Sequence, residues 1–314
     1  KAIIMKKYTS VRDLVSAPDA VKEALSLKQS QDIAKSYTKD KVLCLLFFNN
    51  SLRTRLSTEL AGIKLGMKVM VMQIGESGWA LEFEDGAIMN STKAEHIKEA
   101  AAVVSQYADV IGIRSFPTLT DKEADINDRV MSAFVAYATV PVFSMEGAVE
   151  HPLQALADAI TIAENCTYRP KVVLSWAPHP RALPHAVANS FALMMQATDV
   201  DFVITHPKGY ELNPDVVGDS KVEYDQDKAF EGADFVYVKN WSQFADYGAV
   251  STGLDHWMIT PEKLGSAKFM HCLPLRRNVI ATDAVLDSEQ SLVIEQANNR
   301  TYSAAYIIQK LLES

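Results

Sequence analysis

The sequence predicts an α/β protein of two domains, each a parallel sheet flanked by helices. Three observations predict it. Short apolar, β-branched runs alternate with helical stretches along nearly the whole chain, as strands joined by crossover helices do. The alternation runs once, breaks near 146–152 and starts again. The length of 314 residues suits two domains at ~150 residues each. The expected division puts 1–150 with 290–314 in one domain and 151–289 in the other, the closing helix returning to the first.

The elements follow in order. The run KVLCLLFF at 41–48 reads as a buried strand, and the polar turn Asn49-Asn50 leads into a helix over 51–65. A second strand over 68–75 is followed by a long loop, 76–90, holding Trp79 and the acidic Glu82, Glu84 and Asp85. Thr92 and Glu95 have capping-box spacing, which predicts a helix running to about 107. Strands are expected at 109–114 and 141–145, with a helix at 131–138 between them. A helix over 152–166 closes the first set. The second set comprises strands at 171–177, 201–206, 221–225, 234–239 and 268–272, helices at 185–198 and 282–287, and a closing helix at 298–312.

Composition narrows the function. Hydrophobic residues make up 48% and charged residues 22%, an ordinary globular balance. The net charge of −8 argues against nonspecific nucleic-acid binding. It leaves a small anionic substrate open, since local arginine placement decides that. Three cysteines, Cys44, Cys166 and Cys272, form no disulfide framework and fit a reducing cytoplasm. No apolar run reaches the ~18 residues of a membrane span, and no signal peptide is visible. Met5-Lys6-Lys7 reads as a native start preceded by four added residues.

Open α/β sheets place ligands at the carboxyl ends of their strands. Several polar groups gather at such ends, which points to one cleft between the domains. Ser51-Leu52-Arg53-Thr54-Arg55 opens a helix after a strand. Unpaired N–H groups there attract anions, two hydroxyls add donors, and Arg53 adds a forked cation suited to phosphate; a capped, solvated basic helix face is the plainer alternative. Neither G-x-x-x-x-G-K nor G-x-G-x-x-G is present, which counts against a P-loop and a nicotinamide dehydrogenase. His151-Pro152-Leu153-Gln154 opens another helix, and its polar side chains suit a carbonyl or an amide; a proline-started helix is the alternative. Cys272, in His271-Cys272-Leu273-Pro274, lacks metal-ligand spacing to the other cysteines; a catalytic thiol there needs a base, and a lone apolar-flanked cysteine is more often packed core.

Together these motifs resemble the aspartate/ornithine carbamoyltransferase (transcarbamylase) family. The resemblance rests on their order: SLRTR, Arg114 after a strand, HPLQ, HCLP, then Arg300 in the closing helix. It spans nearly the whole chain. It implies an enzyme without metal or cofactor, with one domain for carbamoyl phosphate and one for the amino substrate. Ser51, Leu52, Arg53 and Thr54 match the family's phosphate loop. Arg114, His151 and Gln154 match the groups around the carbamoyl moiety, and Cys272, Leu273 and Arg300 those completing that pocket. The resemblance also implies a homotrimer in which Trp79 reaches a neighbouring subunit's site.

Within the family, Cys272 resembles the ornithine side. Ordinary ornithine enzymes, however, carry an Asp and a Ser-Met-Gly segment for the free α-amino group. This chain has Lys239-Asn240-Trp241-Ser242 instead. A lysine there repels an α-ammonium and suits an acylated, uncharged α-nitrogen, so the chain resembles the N-acylornithine branch. Acetylornithine enzymes carry a glutamate just before the position of Glu95; here it is Ala94, which leaves room for a second carboxylate and favours succinyl. A good first-turn helix former is the alternative role for Ala94. The expectation is transfer of the carbamoyl group of carbamoyl phosphate to the δ-amino group of N-succinyl-L-ornithine, in arginine synthesis. Acceptor-binding candidates are Ala94, Glu146, Arg181, Lys239 and Arg276. An acetylornithine enzyme, an ornithine enzyme and a non-catalytic anion-binding module are the alternatives.

Overall fold

In a computed structural model, which describes residues 5–75 and 79–313, the chain builds two five-stranded, wholly parallel sheets. The proposed added residues 1–4 and the first three residues of the 76–90 loop lie outside that description.

A two-residue strand β1 (Lys7–Tyr8) and helix α1 (Ala17–Gln29) come first. The sequence pattern assigns neither. The buried stripe of α1 is Ala17, Ala20, Val21 and Ala24, and alanine gives little hydrophobic contrast. Strand β2 (Val42–Phe47), helix α2 (Arg53–Lys64) and strand β3 (Lys68–Gln73) follow as expected. The predicted helix start at 92 is corrected. Strands β4 (Leu81–Glu82) and β5 (Glu95–His96) pair in a small parallel sheet, and helix α3 (Ile97–Tyr107) begins only after them. Glu95 is not a capping-box residue: its carboxylate accepts from the Trp79 indole N–H at 2.7 Å. The cap is His96, which accepts from the Lys98 N–H.

Strand β6 (Val110–Arg114), helices α4 (Lys122–Ile126) and α5 (Arg129–Tyr137), and strand β7 (Val142–Glu146) complete the first sheet, ordered β1-β7-β6-β2-β3. Helix α6 (Pro152–Asn165) leads to the second set. That set comprises β8 (Lys171–Trp176), α7 (Ala186–Gln196), β9 (Asp201–Thr205), α8 (Pro214–Val217), β10 (Lys221–Glu223), α9 (Gln226–Phe230), β11 (Phe235–Lys239), α10 (Pro261–Leu264), β12 (Lys268–Met270) and α11 (Asp283–Leu286). Its sheet runs β10-β9-β8-β11-β12. The closing helix α12 (Val293–Leu312) starts five residues earlier than predicted, because Val293 and Gln296 are buried. It packs on α1, α2 and α6, returning the chain end to the first domain's helices.

One continuous core joins Leu43, Leu45, Phe47 and Phe143 of the first sheet, through α1, α6, α7 and α12, to Leu174, Trp176 and Tyr237 of the second. Separate apolar clusters cover the outer faces of the two sheets. Fully buried parallel strands explain why these runs read as unbroken apolar sequence rather than as alternation. Gly112, central in β6, has no room for a side chain: a Cβ there would lie 2.5 Å from Phe143 and 2.9 Å from Leu45. Gly112→Ala is expected to cost about 1–3 kcal/mol of stability, as overpacking does. Urea unfolding checks it; an unchanged midpoint would mean that the sheet yields.

Register brings the strand ends together. Phe47 of β2 pairs with Arg114 of β6, which pairs with Glu146 of β7. Lys239 of β11 pairs with Trp176 of β8. The carboxyl ends of both sheets therefore open toward one place.

Candidate active site

That place is a cavity of about 330 Å³, lined from the first domain by residues 50–54, Arg114, Phe116 and Glu146, from α6 by His151 and Gln154, and from the second domain by His179, Lys239 and residues 272–274, with Arg300 of α12 beneath. Four cations, Arg53, Arg114, Lys239 and Arg300, surround a single carboxylate, Glu146, among the described lining residues. Such a field selects an anion.

The anion end is the start of α2. Leu52 stands at the cap position with no side-chain cap, so the helix N-terminus keeps its partial positive charge and its free N–H groups. Only the Thr54 N–H is turned inward, to Ser51 Oγ at 3.2 Å. The Arg53 Nε is buried and without a protein partner. Arg300 comes from the far end of the chain and donates to Thr54 Oγ1 at 2.9 Å.

Arg114 is held on every side. It donates to Glu146 at 3.2 Å and to the carbonyls of Asn49 and Asn50 at 2.9 and 2.7 Å. It also stacks on the Phe116 ring at 4.1 Å. A guanidinium clamped this way cannot reorient, which suits a fixed donor beside a reacting carbonyl. Glu146 is buried, and burial raises its carboxyl against the pull of Arg114.

His151 is 3% exposed, and burial, with Arg300 and Arg114 beside it, pushes its pKa well below the usual range. It is therefore neutral. Arg300 Nη2 lies 3.3 Å from its Nε2; an arginine can only donate, so the network assigns the ring proton to Nδ1, which has no partner in the protein. Gln154 turns its NH₂ to Asp158 at 2.7 Å, and its Oε1 is buried and unpartnered. Burial raises the Cys272 thiol, so it stays neutral despite nearby Lys239. That environment does not make a nucleophilic thiolate. Leu273 holds φ +56, a conformation costing roughly 1–2 kcal/mol in a non-glycine residue. His271 secures it by accepting from the Leu273 N–H at 2.8 Å.

Asp158 is fully buried, and burial pushes its carboxyl up to about 7 from 3.8. Between those two values the folded state holds more protons than the unfolded one, so ionising this group costs stability as pH rises. Asp158→Asn removes that cost. The unfolding free energy of the variant relative to the parent should climb between about pH 4 and 7, by up to about 1.4 kcal/mol per pH unit, and level off above that. A pH-independent difference in urea titrations would contradict it.

The cavity brings together Ser51, Leu52, Arg53, Thr54, Arg114, Glu146, His151, Gln154, Lys239, Cys272, Leu273 and Arg300. It does not include four other candidates. Arg276 is exposed and reaches the site only through a 3.1 Å bond to His179 Nε2. Arg181 is exposed and touches His179 by its backbone alone. Trp79 is 46% exposed, and Ala94 is exposed immediately before β5, its N–H bonded to the Ala80 carbonyl. Lining residues that motif reading passed over are Asn50, Phe116, Leu183, Pro184 and Val187. Asn50 was signalled by its polar turn; the apolar ones carried no signal in sequence. No cluster of three or more His, Cys, Asp or Glu side chains able to hold a metal occurs among the described residues.

Fold and site together define a two-domain α/β protein with a cation-rich cavity suited to a small anion between its sheets, and comparison with known proteins specifies its family. Residues 6–164 match the aspartate/ornithine carbamoyltransferase carbamoyl-P binding domain, and residues 184–310 match the Asp/Orn binding domain of the same family. The chain belongs to the aspartate/ornithine carbamoyltransferase family and is a carbamoyl-transferring enzyme. It is 50% identical to N-succinylornithine carbamoyltransferase of Bacteroides thetaiotaomicron, over 98% of this chain and 99% of that one. It is 37% identical to N-acetylornithine carbamoyltransferase of Xanthomonas axonopodis pv. citri, over 85% of each. Among solved structures it superposes, with TM-score 0.91 and 34% identity over 98% of this chain and 99% of the other, on an N-acetyl-L-ornithine transcarbamylase variant in which a glutamate is replaced by alanine, complexed with carbamyl phosphate and N-succinyl-L-norvaline.

Proposed function

We propose that this enzyme transfers the carbamoyl group of carbamoyl phosphate to the δ-amino group of N-succinyl-L-ornithine, giving N-succinyl-L-citrulline and phosphate in arginine biosynthesis. The observation that carries this reading is the composition of the cavity. Three arginines and an open helix N-terminus converge at one end, and a lysine, Lys239, faces it from the second domain, which disfavours a free α-ammonium there. Among the described lining residues the one carboxylate, Glu146, is already paired with Arg114.

In this reading the first domain holds carbamoyl phosphate and the second holds the acylornithine. Ser51, Arg53, Thr54 and the N–H groups of α2 anchor the phosphate. Arg114 and neutral His151 donate to the carbamoyl oxygen as it gains charge. Gln154 Oε1 and the backbone around Cys272 and Leu273 accept from the carbamoyl NH₂. The uncharged amine attacks the carbamoyl carbon, a tetrahedral oxyanion forms, and the C–O bond to phosphate breaks as the departing phosphate takes the proton that the attacking nitrogen loses. Positioning supplies most of the acceleration, since phosphate is already a good leaving group. Lys239 and Arg276, the latter through its approach to His179, serve the acceptor's carboxylates.

Trp79 and Ala94 act in a neighbouring subunit's site, in a cytoplasmic homotrimer. Exposed Leu56, Leu60 and Ile63 of α2 and Met70 and Met72 of edge strand β3 support association of copies. The loop bearing Trp79 and Ala94 leaves that same edge. A small residue at 94 leaves space and no repulsion for the succinyl carboxylate. The glutamate-to-alanine relative complexed with N-succinyl-L-norvaline supports the same logic.

The test is citrulline-type product formation from carbamoyl phosphate with ornithine, N-acetylornithine and N-succinylornithine in parallel. Turnover of the succinyl compound is expected, with at least about tenfold preference over acetyl, as a specific charge contact provides. Preference for acetyl would discard the role of Ala94, and preference for free ornithine would discard that of Lys239 as well.

A further inference from the structure

The active-site amide of Gln154 belongs to a buried chain of hydrogen bonds that crosses between the domains. It begins at the His271 backbone N–H, which can only donate and does so to Gln296 Oε1 at 2.9 Å. Gln296 must therefore turn its NH₂ the other way, and it donates to Asp158 Oδ1 at 2.9 Å. The same Oδ1 accepts the Gln154 NH₂ at 2.7 Å. Asp158 and Gln296 are both fully buried, and Gln154 is 1% exposed, so no bulk water competes for these groups. One oxygen thus determines which way round the Gln154 amide sits. Its remaining atom, Oε1, is the acceptor with no protein partner.

We propose that Asp158 is a positioning residue: its Oδ1 fixes Gln154 with Oε1 presented to the carbamoyl NH₂, and couples that amide through Gln296 to the backbone of the 271–274 loop. This rests on the carbamoyl phosphate reading above. A reversed amide would set NH₂ against NH₂, losing one hydrogen bond and leaving a donor unpaired. The titratable or charged groups facing Asp158 from other elements are Tyr237 of β11 and Arg300 of α12, with Cys272 beyond Tyr237. A protonated acid keeps one carbonyl oxygen as an acceptor, so Oδ1 serves whether or not Asp158 carries charge. What matters is an oxygen at that point, not a negative charge.

Two variants test this, Asp158→Ala and Asp158→Asn, with carbamoyl phosphate and sulfate as separate calorimetric probes and turnover measured alongside. Alanine suits a helix interior and removes the acceptor. Asp158→Ala should bind carbamoyl phosphate about 10- to 50-fold more weakly, the cost of one lost and one misdirected hydrogen bond. Sulfate, which needs only the α2 anion site, should bind within about twofold of the parent. Asparagine restores the oxygen, so Asp158→Asn should bind carbamoyl phosphate within about threefold of the parent. Equal weakening of both probes in Asp158→Ala would reduce Asp158 to general structural support and overturn the proposal. So would a tenfold or greater loss in Asp158→Asn, which folds by isosteric replacement and decides the matter alone should the alanine variant not fold. Failure of the parent to turn over carbamoyl phosphate would instead remove the functional reading, whereas the ratio between parent and variant bears on Asp158.

Discussion

Arg53→Ala is expected to lower kcat/KM for carbamoyl phosphate by about 10³-fold. A charge pair about 4 Å apart is worth roughly 4 kcal/mol at an effective dielectric of 20, and each 1.4 kcal/mol is a factor of ten. Arg53 stands in the first turn of α2, and its Nε is buried with no other partner to serve. Its loss removes both charge and fork. Alanine at that position preserves the helix, so thermal unfolding should scarcely move and the kinetic loss can be read as a loss of binding. Arg53→Lys should recover only part of the activity, since an ammonium cannot make the two parallel bonds of a guanidinium. Steady-state kinetics over carbamoyl phosphate concentration checks both variants. Near-normal kcat/KM in Arg53→Ala would mean that phosphate sits elsewhere.

Ala94→Glu is expected to reverse the acyl preference, reducing kcat/KM for N-succinylornithine by about 10²-fold while sparing or improving N-acetylornithine. Two carboxylates brought within a few ångströms repel by a few kcal/mol at protein-surface dielectrics, and solvent exposure discounts that. Position 94 is exposed and its backbone bond to Ala80 is independent of the side chain, so the substitution leaves the fold intact. The penalty should shrink as salt is raised. Because residue 94 does not line its own chain's cavity, the effect should arise in trans. Assemblies mixed from Arg53→Ala and Ala94→Glu chains should then regain succinyl turnover, since some sites would combine an intact Arg53 with an intact Ala94. No recovery on mixing would place residue 94 in its own chain's site, and unchanged selectivity would remove it from substrate recognition.

Much of the site could be read before any coordinates. SLRTR lies at the β2–α2 junction, HPLQ opens α6, and HCLP follows β12, each where strand-to-helix rhythm placed it. These are local features: a buried parallel strand is a continuous apolar run, and the polar residues after it lie at its carboxyl end by necessity. Local pattern failed where neighbours decide. Thr92 and Glu95 have the spacing of a helix start, yet Glu95 spends its carboxylate on Trp79 and its backbone on β4, so the helix waits for His96. The closing helix runs back to Val293 because the second domain's core buries its first turn. Helix α1 passed unseen because alanines carry its buried face.

The sequence by itself determined the two-sheet architecture and the order of the polar motifs at the strand ends. These follow from residue type and spacing, which are properties of short stretches of chain. Only the tertiary structure decided that Arg300 meets Thr54 and His151 across more than a hundred residues, that Arg181 and Arg276 stand outside the cavity, and that Gln154 meets Asp158 in the buried interior. Those outcomes depend on which buried polar groups find partners, and hydrogen-bond satisfaction in a dry interior is settled by the packing of distant elements against one another.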